Sequence, residues 1–84
     1  MTACLQDKNI ERQLEDMGFK QQIKPYTGFE IIAQMPSGTR IETLSLAFWR
    51  VTFPVTQHYD DFREDANPHK AAALAFIAWK KGLQ

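Results

Sequence analysis

Residues 67–82 read NPHKAAALAFIAWKKG, and the way this stretch packs decides the fold. The Asn67 side chain can cap a helix. Pro68 suits the first helical position, where its ring presets φ and its missing N–H is not needed. Lys80, Lys81 and Gly82 suit the closing turn. At about 100° per residue, Leu74, Ala78, Ala71, Ala75, Trp79, Ala72 and Phe76 fill one broad arc of roughly 200°. His69, Lys70, Lys80 and Lys81 lie opposite, with Ala73 and Ile77 among them. The arc is wider than one sheet requires, so the helix is expected to serve two neighbours, a sheet beneath and another helix alongside. The alanines permit close approach, while Leu74, Phe76 and Trp79 fill volume. An apolar surface of this kind reports packing rather than a membrane or a cofactor.

The helix alongside is read from about Asp7 to Met17, where Ile10, Leu14 and Met17 recur at i, i+4 and i+7. Asp7 is the expected N-cap and Gly18 the expected left-handed residue after the helix. That places Phe19 where it can meet Leu14, the hydrophobic contact of a Schellman ending. Lys8, Glu11, Arg12 and Glu15 form the solvated side.

The sheet is expected from the middle of the chain. FEIIAQM (29–35) alternates, with Phe29, Ile31, Ala33 and Met35 on one side, and reads as a strand. The turn PSG (36–38) then fits a short hairpin, with Gly38 free to take positive φ. TRIETLSLAFWRVTFP (39–54) is rich in β-branched and aromatic residues but too long for one strand. A break or bulge near 45–47 divides it into strands at 40–44 and 48–53. KQQIKPY (20–26) offers a short edge strand, weakened by Pro25. VTQHYDDFREDA (55–66) has no sustained period and holds four acids against one Arg, so it is read as a long loop.

Composition bounds the classes open to such a chain. Its 84 residues make one domain, 1–84, expected to bury roughly 60–65% of its unfolded surface. Ten basic side chains balance ten acidic ones, which gives no overall field for nucleic acid or an anionic membrane. The single Cys4 closes no internal disulfide, the first residues lack the charge pattern of a secretory signal, and no apolar run approaches the ~20 residues of a bilayer span. A cytoplasmic protein with no membrane association is expected.

Chemistry-bearing residues are sparse. His58, Asp60, Asp61, Glu64, Asp65 and His69 include the usual ligand types for a divalent ion. Their spacing matches neither a calcium loop nor a zinc signature, so no metal and no cofactor is expected. No nucleophile-elbow, phosphate-loop or metalloprotease motif is present, and the expectation is a protein without enzymatic activity. Trp49, Phe53, Phe48 and Trp79 are expected in the core. Tyr59 and Phe62 differ because they stand among acids in the 55–66 stretch, where loop aromatics serve as interface anchors. With Asp60, Asp61, Glu64 and Asp65 they make the candidate partner-binding set.

Two resemblances bear on function. The order helix, strands, helix resembles the double-stranded RNA-binding domain, which grips phosphates with lysines at the start of its last helix. That likeness implies His69, Lys70, Lys80 and Lys81 as nucleic-acid contacts, but the lysine cluster itself is missing, so direct nucleic-acid binding is not expected. The stretch DANPHKAAALAFIAWKKG, following a hairpin rich in Trp and Phe, is similar to the ending of small phage and prophage proteins, among them NinX-like and anti-CRISPR proteins. The similarity covers about residues 46–82 and implies a phage-type accessory protein. Such a protein would act by binding a host protein or ribonucleoprotein complex, most specifically as an inhibitor of a CRISPR effector. An acidic surface at 58–65 would then occupy a basic nucleic-acid channel.

The expected architecture is a two-layer α+β sandwich: a small, mainly antiparallel sheet of three strands (two to four) with the N- and C-terminal helices on one face, in the order α-β-β-β-α. It would be a monomer or a homodimer. The expected core is Ile10, Leu14, Phe19, Ile31, Ala33, Leu44, Phe48, Val51, Phe53, Leu74, Ala75, Phe76 and Trp79. On that reading Trp79→Ala costs roughly 3–5 kcal/mol in a denaturant titration.

Overall fold

The computed structural model describes residues 8–19, 27–45 and 47–82. The proposed N-cap Asp7, the edge strand read at 20–26 and Cys4 lie outside them. The chain is an α+β domain with one open, three-stranded antiparallel sheet plus N- and C-terminal helices. In order the elements are α1 (Lys8–Asp16), α2 (Gly28–Ile32), β1 (Arg40–Ser45), β2 (Phe48–Thr56), β3 (Tyr59–Asp65) and α3 (Pro68–Gly82). The sheet order is β1-β2-β3, and α3 packs against β2 and β3 while also meeting α1 and α2.

Helix α1 ends as its sequence dictates. Gly18 takes φ +88°, the Phe19 N–H donates to the Leu14 carbonyl at 2.9 Å and the Gly18 N–H to that of Glu15 at 3.0 Å. These are the two bonds of a Schellman ending, and they deliver Phe19 into the core beside Ile10 and Leu14. Glu11, expected on the solvated side, is buried instead, because it sits on the rim of the Ile10–Leu14 stripe.

Residues 29–35 are not a strand. Thr27 and Glu30 form a reciprocal capping box: the Glu30 N–H donates to Thr27 Oγ1, and the Thr27 N–H to Glu30 Oε2 at 3.2 Å. The helix this starts presents Gly28, Ile31, Ile32 and Met35 inward, the i, i+3, i+4, i+7 set, and leaves Phe29 77% exposed and Ala33 exposed. The PSG turn therefore links helix to strand rather than strand to strand. Gly38 takes φ +97°, as its position required, and the Thr39 N–H closes the turn on the Pro36 carbonyl at 3.2 Å.

The long run 39–54 is divided as its length demands, with a register shift between Thr43 and Ser45 where β1 pairs with β2. The stretch 55–66 is not a loop. β2 continues to Thr56, turns at Gln57–His58 and returns as β3, with Val51 opposite Arg63, Thr52 opposite Phe62 and Phe53 opposite Asp61. A second register shift between Pro54 and Thr56 accommodates the turn. The third strand is thus β3, and residues 29–35 contribute none.

The core lies between the sheet and α3, where Val51, Phe53, Ala71, Ala72, Ala73, Ala75 and Phe76 are almost wholly inaccessible. Ala73 and Ile77, placed by pattern on the basic side of α3, are buried as well. With α1, α2 and the sheet all against α3, little of its circumference is left open. Leu44 and Phe48, expected in the core, are 43% and 37% exposed, because the bulge and the outward strand phase carry them away from α3. Leu74 and Trp79 pack on the core without being enclosed by it.

Phe76, rather than Trp79, is the closed centre: its ring meets Phe19 and Trp79 edge-on at centroid distances of 5.4 and 5.6 Å. Phe76→Ala is therefore expected to cost about 3–5 kcal/mol, Trp79→Ala less, and Phe29→Ala under about 0.5 kcal/mol. Urea titrations of the three variants check the order. A costly Phe29→Ala would restore the strand reading.

Candidate protein-binding surface on the hairpin

The candidate partner-binding residues fall on β3, and strand alternation divides them between two faces. Residues opposite one another in an antiparallel pair share a face, so the buried Val51 and Phe53 place Arg63 and Asp61, and with them Tyr59 and Asp65, on the side of α3. Asp60, Phe62 and Glu64 lie on the outer side, with Phe48, Arg50 and Thr52 of β2 and Arg40 and Glu42 of β1. Tyr59 and Phe62 are both exposed but do not share one surface.

Among the described residues no helix lies across the outer face, and its centre is a small stacked network. Arg50 donates through Nε to Glu64 Oε2 at 2.7 Å, with Nη2 2.6 Å from the same oxygen. Its guanidinium carbon stands 4.7 Å from the Phe62 ring centroid. A planar cation held by a carboxylate over an aromatic ring is an arrangement arginine makes and lysine does not. Thr52, between Arg40 and Phe62 in register, is 6% exposed although it faces outward. Around this centre Phe48 and Phe62 (46% exposed) remain open to solvent, as does Leu44 at the bulge.

The acids are not equivalent. Asp65 Oδ2 accepts the Asn67 N–H at 2.8 Å, and Asn67 Oδ1 in turn accepts the His69 N–H at 2.9 Å, so Asp65 belongs to the entry into α3. Asp61 Oδ1 accepts the Phe62 N–H at 2.8 Å and lies 3.2 Å from Arg63 Nη1. Glu64 is engaged by Arg50. The Asp60 side chain has no such partner among the described residues. Four carboxylates thus face two guanidiniums, which leaves the hairpin modestly negative and its steering field short-ranged.

The alternative nucleic-acid set is dispersed. His69 Nδ1 accepts the Gly28 N–H at 2.8 Å, fixing that ring to α2. Lys80 Nζ stands over the Trp79 and Phe76 rings, at 5.1 and 5.7 Å. Lys70 and His69 open α3 and Lys80 and Lys81 close it, about 15 Å apart along the axis. Among the described residues no three His, Cys, Asp or Glu side chains gather as a metal site, and no helix is long and apolar enough to cross a membrane.

Comparison with protein-family models, curated proteins and solved structures returned no match. Residue roles therefore rest on geometry alone. The sequence reading passed over Arg50 and placed Phe48 in the core, whereas both lie on the outer face. The signal was present in the alternation of 48–53, which sets Phe48, Arg50 and Thr52 opposite Trp49, Val51 and Phe53. In a double-mutant cycle, Arg50→Ala and Glu64→Ala are expected to couple by about 0.5–1 kcal/mol, since the pair is only partly shielded, and to lose coupling in high salt.

Proposed function

We propose that this chain is a small, non-enzymatic accessory protein of the phage type that acts in the cytoplasm by binding a host protein or ribonucleoprotein complex. Its most specific form is an inhibitor of a CRISPR effector. The observation that supports a binding role is the uncovered sheet face: Phe48, Phe62 and Leu44 stand open around the Arg50–Glu64 pair, with Glu42 and Asp60 on the same side. Exposed aromatics beside an arginine, rimmed by charge, have the composition of interface centres. With Arg40 on the same side as Glu42 and Asp60, the rim keeps a small acidic excess, which suits a basic channel, the surface an effector offers to nucleic acid. Phe62 is the anchor, joined by Phe48, and Asp60 orients the approach while Arg50 neutralises Glu64. Tyr59, Asp61 and Asp65 lie on the other side and take no part in this contact.

The double-stranded RNA-binding alternative keeps one supporting observation, the order α-β-β-β-α with the short α2 inserted. Against it stand the separation of its candidate cations and the commitment of His69 to Gly28.

The test is inhibition of target-DNA cleavage by purified effector complexes, using the wild-type chain and a Phe48→Ser, Phe62→Ser variant with an unchanged melting curve. Inhibition by the wild type and its loss in the variant are expected. An effector inhibited equally by both removes the sheet face from the mechanism. Tight duplex-RNA binding that weakens steeply with salt would replace the proposal with the RNA-binding reading.

A further inference from the structure

A pocket of about 130 Å³ opens on the other side of the hairpin, where the last turns of α3 meet β2 and β3. Its walls are Phe53, Val55, Ala78 and Trp79, with Tyr59 and Asp61 completing the ring and Gly82 beside them. The register shift between Pro54 and Thr56 frees Val55 from a cross-strand partner, and Tyr59 follows the turn directly. Gly82 adds no side chain to fill the space.

We propose that this pocket receives a lysine side chain of a partner protein. Among the described residues Asp61 is the one charged side chain on the wall, so the pocket offers a carboxylate at one point and hydrocarbon elsewhere. Lys80, over the Phe76 and Trp79 rings, is not part of the lining. Asp61 Oδ1 is already occupied by the Phe62 N–H and Arg63, whereas Oδ2 has no partner among the described residues. One open carboxylate oxygen matches an ammonium, which binds as a point charge. A guanidinium can also close on one oxygen, as Arg50 does on Glu64 Oε2, but it gains there none of the two-oxygen, bidentate geometry that favours it over an ammonium. The four-carbon stem of lysine lies against Phe53, Val55 and Ala78, as such stems do on apolar surfaces. The Tyr59 and Trp79 rings complete the apolar lining.

This inference rests on the protein-binding reading, and its test is independent of any effector. The isotope-labelled chain is titrated with Nα-acetyl-lysine N-methylamide and followed by NMR. Shifts at Tyr59, Asp61, Ala78 and the Trp79 indole are expected, with the norleucine analogue binding about tenfold more weakly and the arginine analogue falling between. Asp61→Asn should abolish the preference for lysine over norleucine. Ala78→Leu, which fills the pocket and leaves the carboxylate in place, should abolish binding of both. Equal binding of norleucine, shifts confined to Phe48 and Phe62, or no shifts at all would each overturn the proposal. A failed titration beside intact effector inhibition removes the lysine pocket alone. Lysine binding without inhibition upholds the pocket and removes the effector.

Discussion

The all-round burial of α3 is the constraint on which the other elements depend. Ala71, Ala72, Ala73 and Ala75 are fully inaccessible, and alanine fills little volume, so each neighbouring element must come close. The first turn shows how close. A methyl group on Gly28 would stand 3.3 Å from the His69 Cα, from its Nδ1 and from the Pro68 carbonyl. Glycine at that point lets α2 reach the start of α3, and its N–H then donates to His69 Nδ1, which places the imidazole proton on Nε2. The start of α3 is therefore held twice: by its own Asn67 cap and by α2. A domain with one modest core gains most from such a junction, because a single small helix there closes a surface the sheet cannot reach.

How much of this was legible follows from how locally each feature is determined. The limits of α3, the ending of α1 and the break in 39–54 are set by caps, a glycine and strand length, all readable within a few residues. Helix α2 was hidden because GFEIIAQM (28–35) satisfies two periods, alternation through Phe29, Ile31, Ala33 and Met35 and helical spacing through Gly28, Ile31, Ile32 and Met35. The pair Thr27 and Glu30 arbitrates between them, since a capping box is specific to a helix start. β3 was hidden for a different reason. Its inward residues, Tyr59, Asp61, Arg63 and Asp65, are mostly charged, so no apolar alternation marks it. Its turn, Gln57–His58, also lacks the glycine or asparagine that announces a tight hairpin, and no non-glycine residue among those described has positive φ. The candidate acids were thus visible as a group, but their division between two faces was not, because that division exists only once the stretch is a strand.

The division changes what the hairpin can do. An acidic loop would present one diffuse charge; a strand presents two chemically distinct sides. Outward, the charges of Arg50 and Glu64 largely cancel over Phe62, leaving aromatic area and shape rather than field. Inward, Asp61, paired through one oxygen with Arg63, borders an apolar pocket beside the end of α3.

The charges of β3 also answer a problem the topology creates. An open three-stranded sheet has two edges, and an unpaired edge is a template for pairing with another chain. β3 carries Asp60, Asp61, Arg63, Glu64 and Asp65 along its length, and β1 combines Arg40 and Glu42 with the irregularity before Ser45. Charge at one edge and a bulge at the other both discourage strand addition. Part of the acidity that sets residues 60–65 apart is therefore accounted for by the sheet itself. Asp65 has a structural task at the Asn67 N–H, and Glu64 neutralises Arg50. What the proposed recognition can draw on is narrower than the acidic run suggested: Phe48 and Phe62 on one face, and the open oxygen of Asp61 on the other.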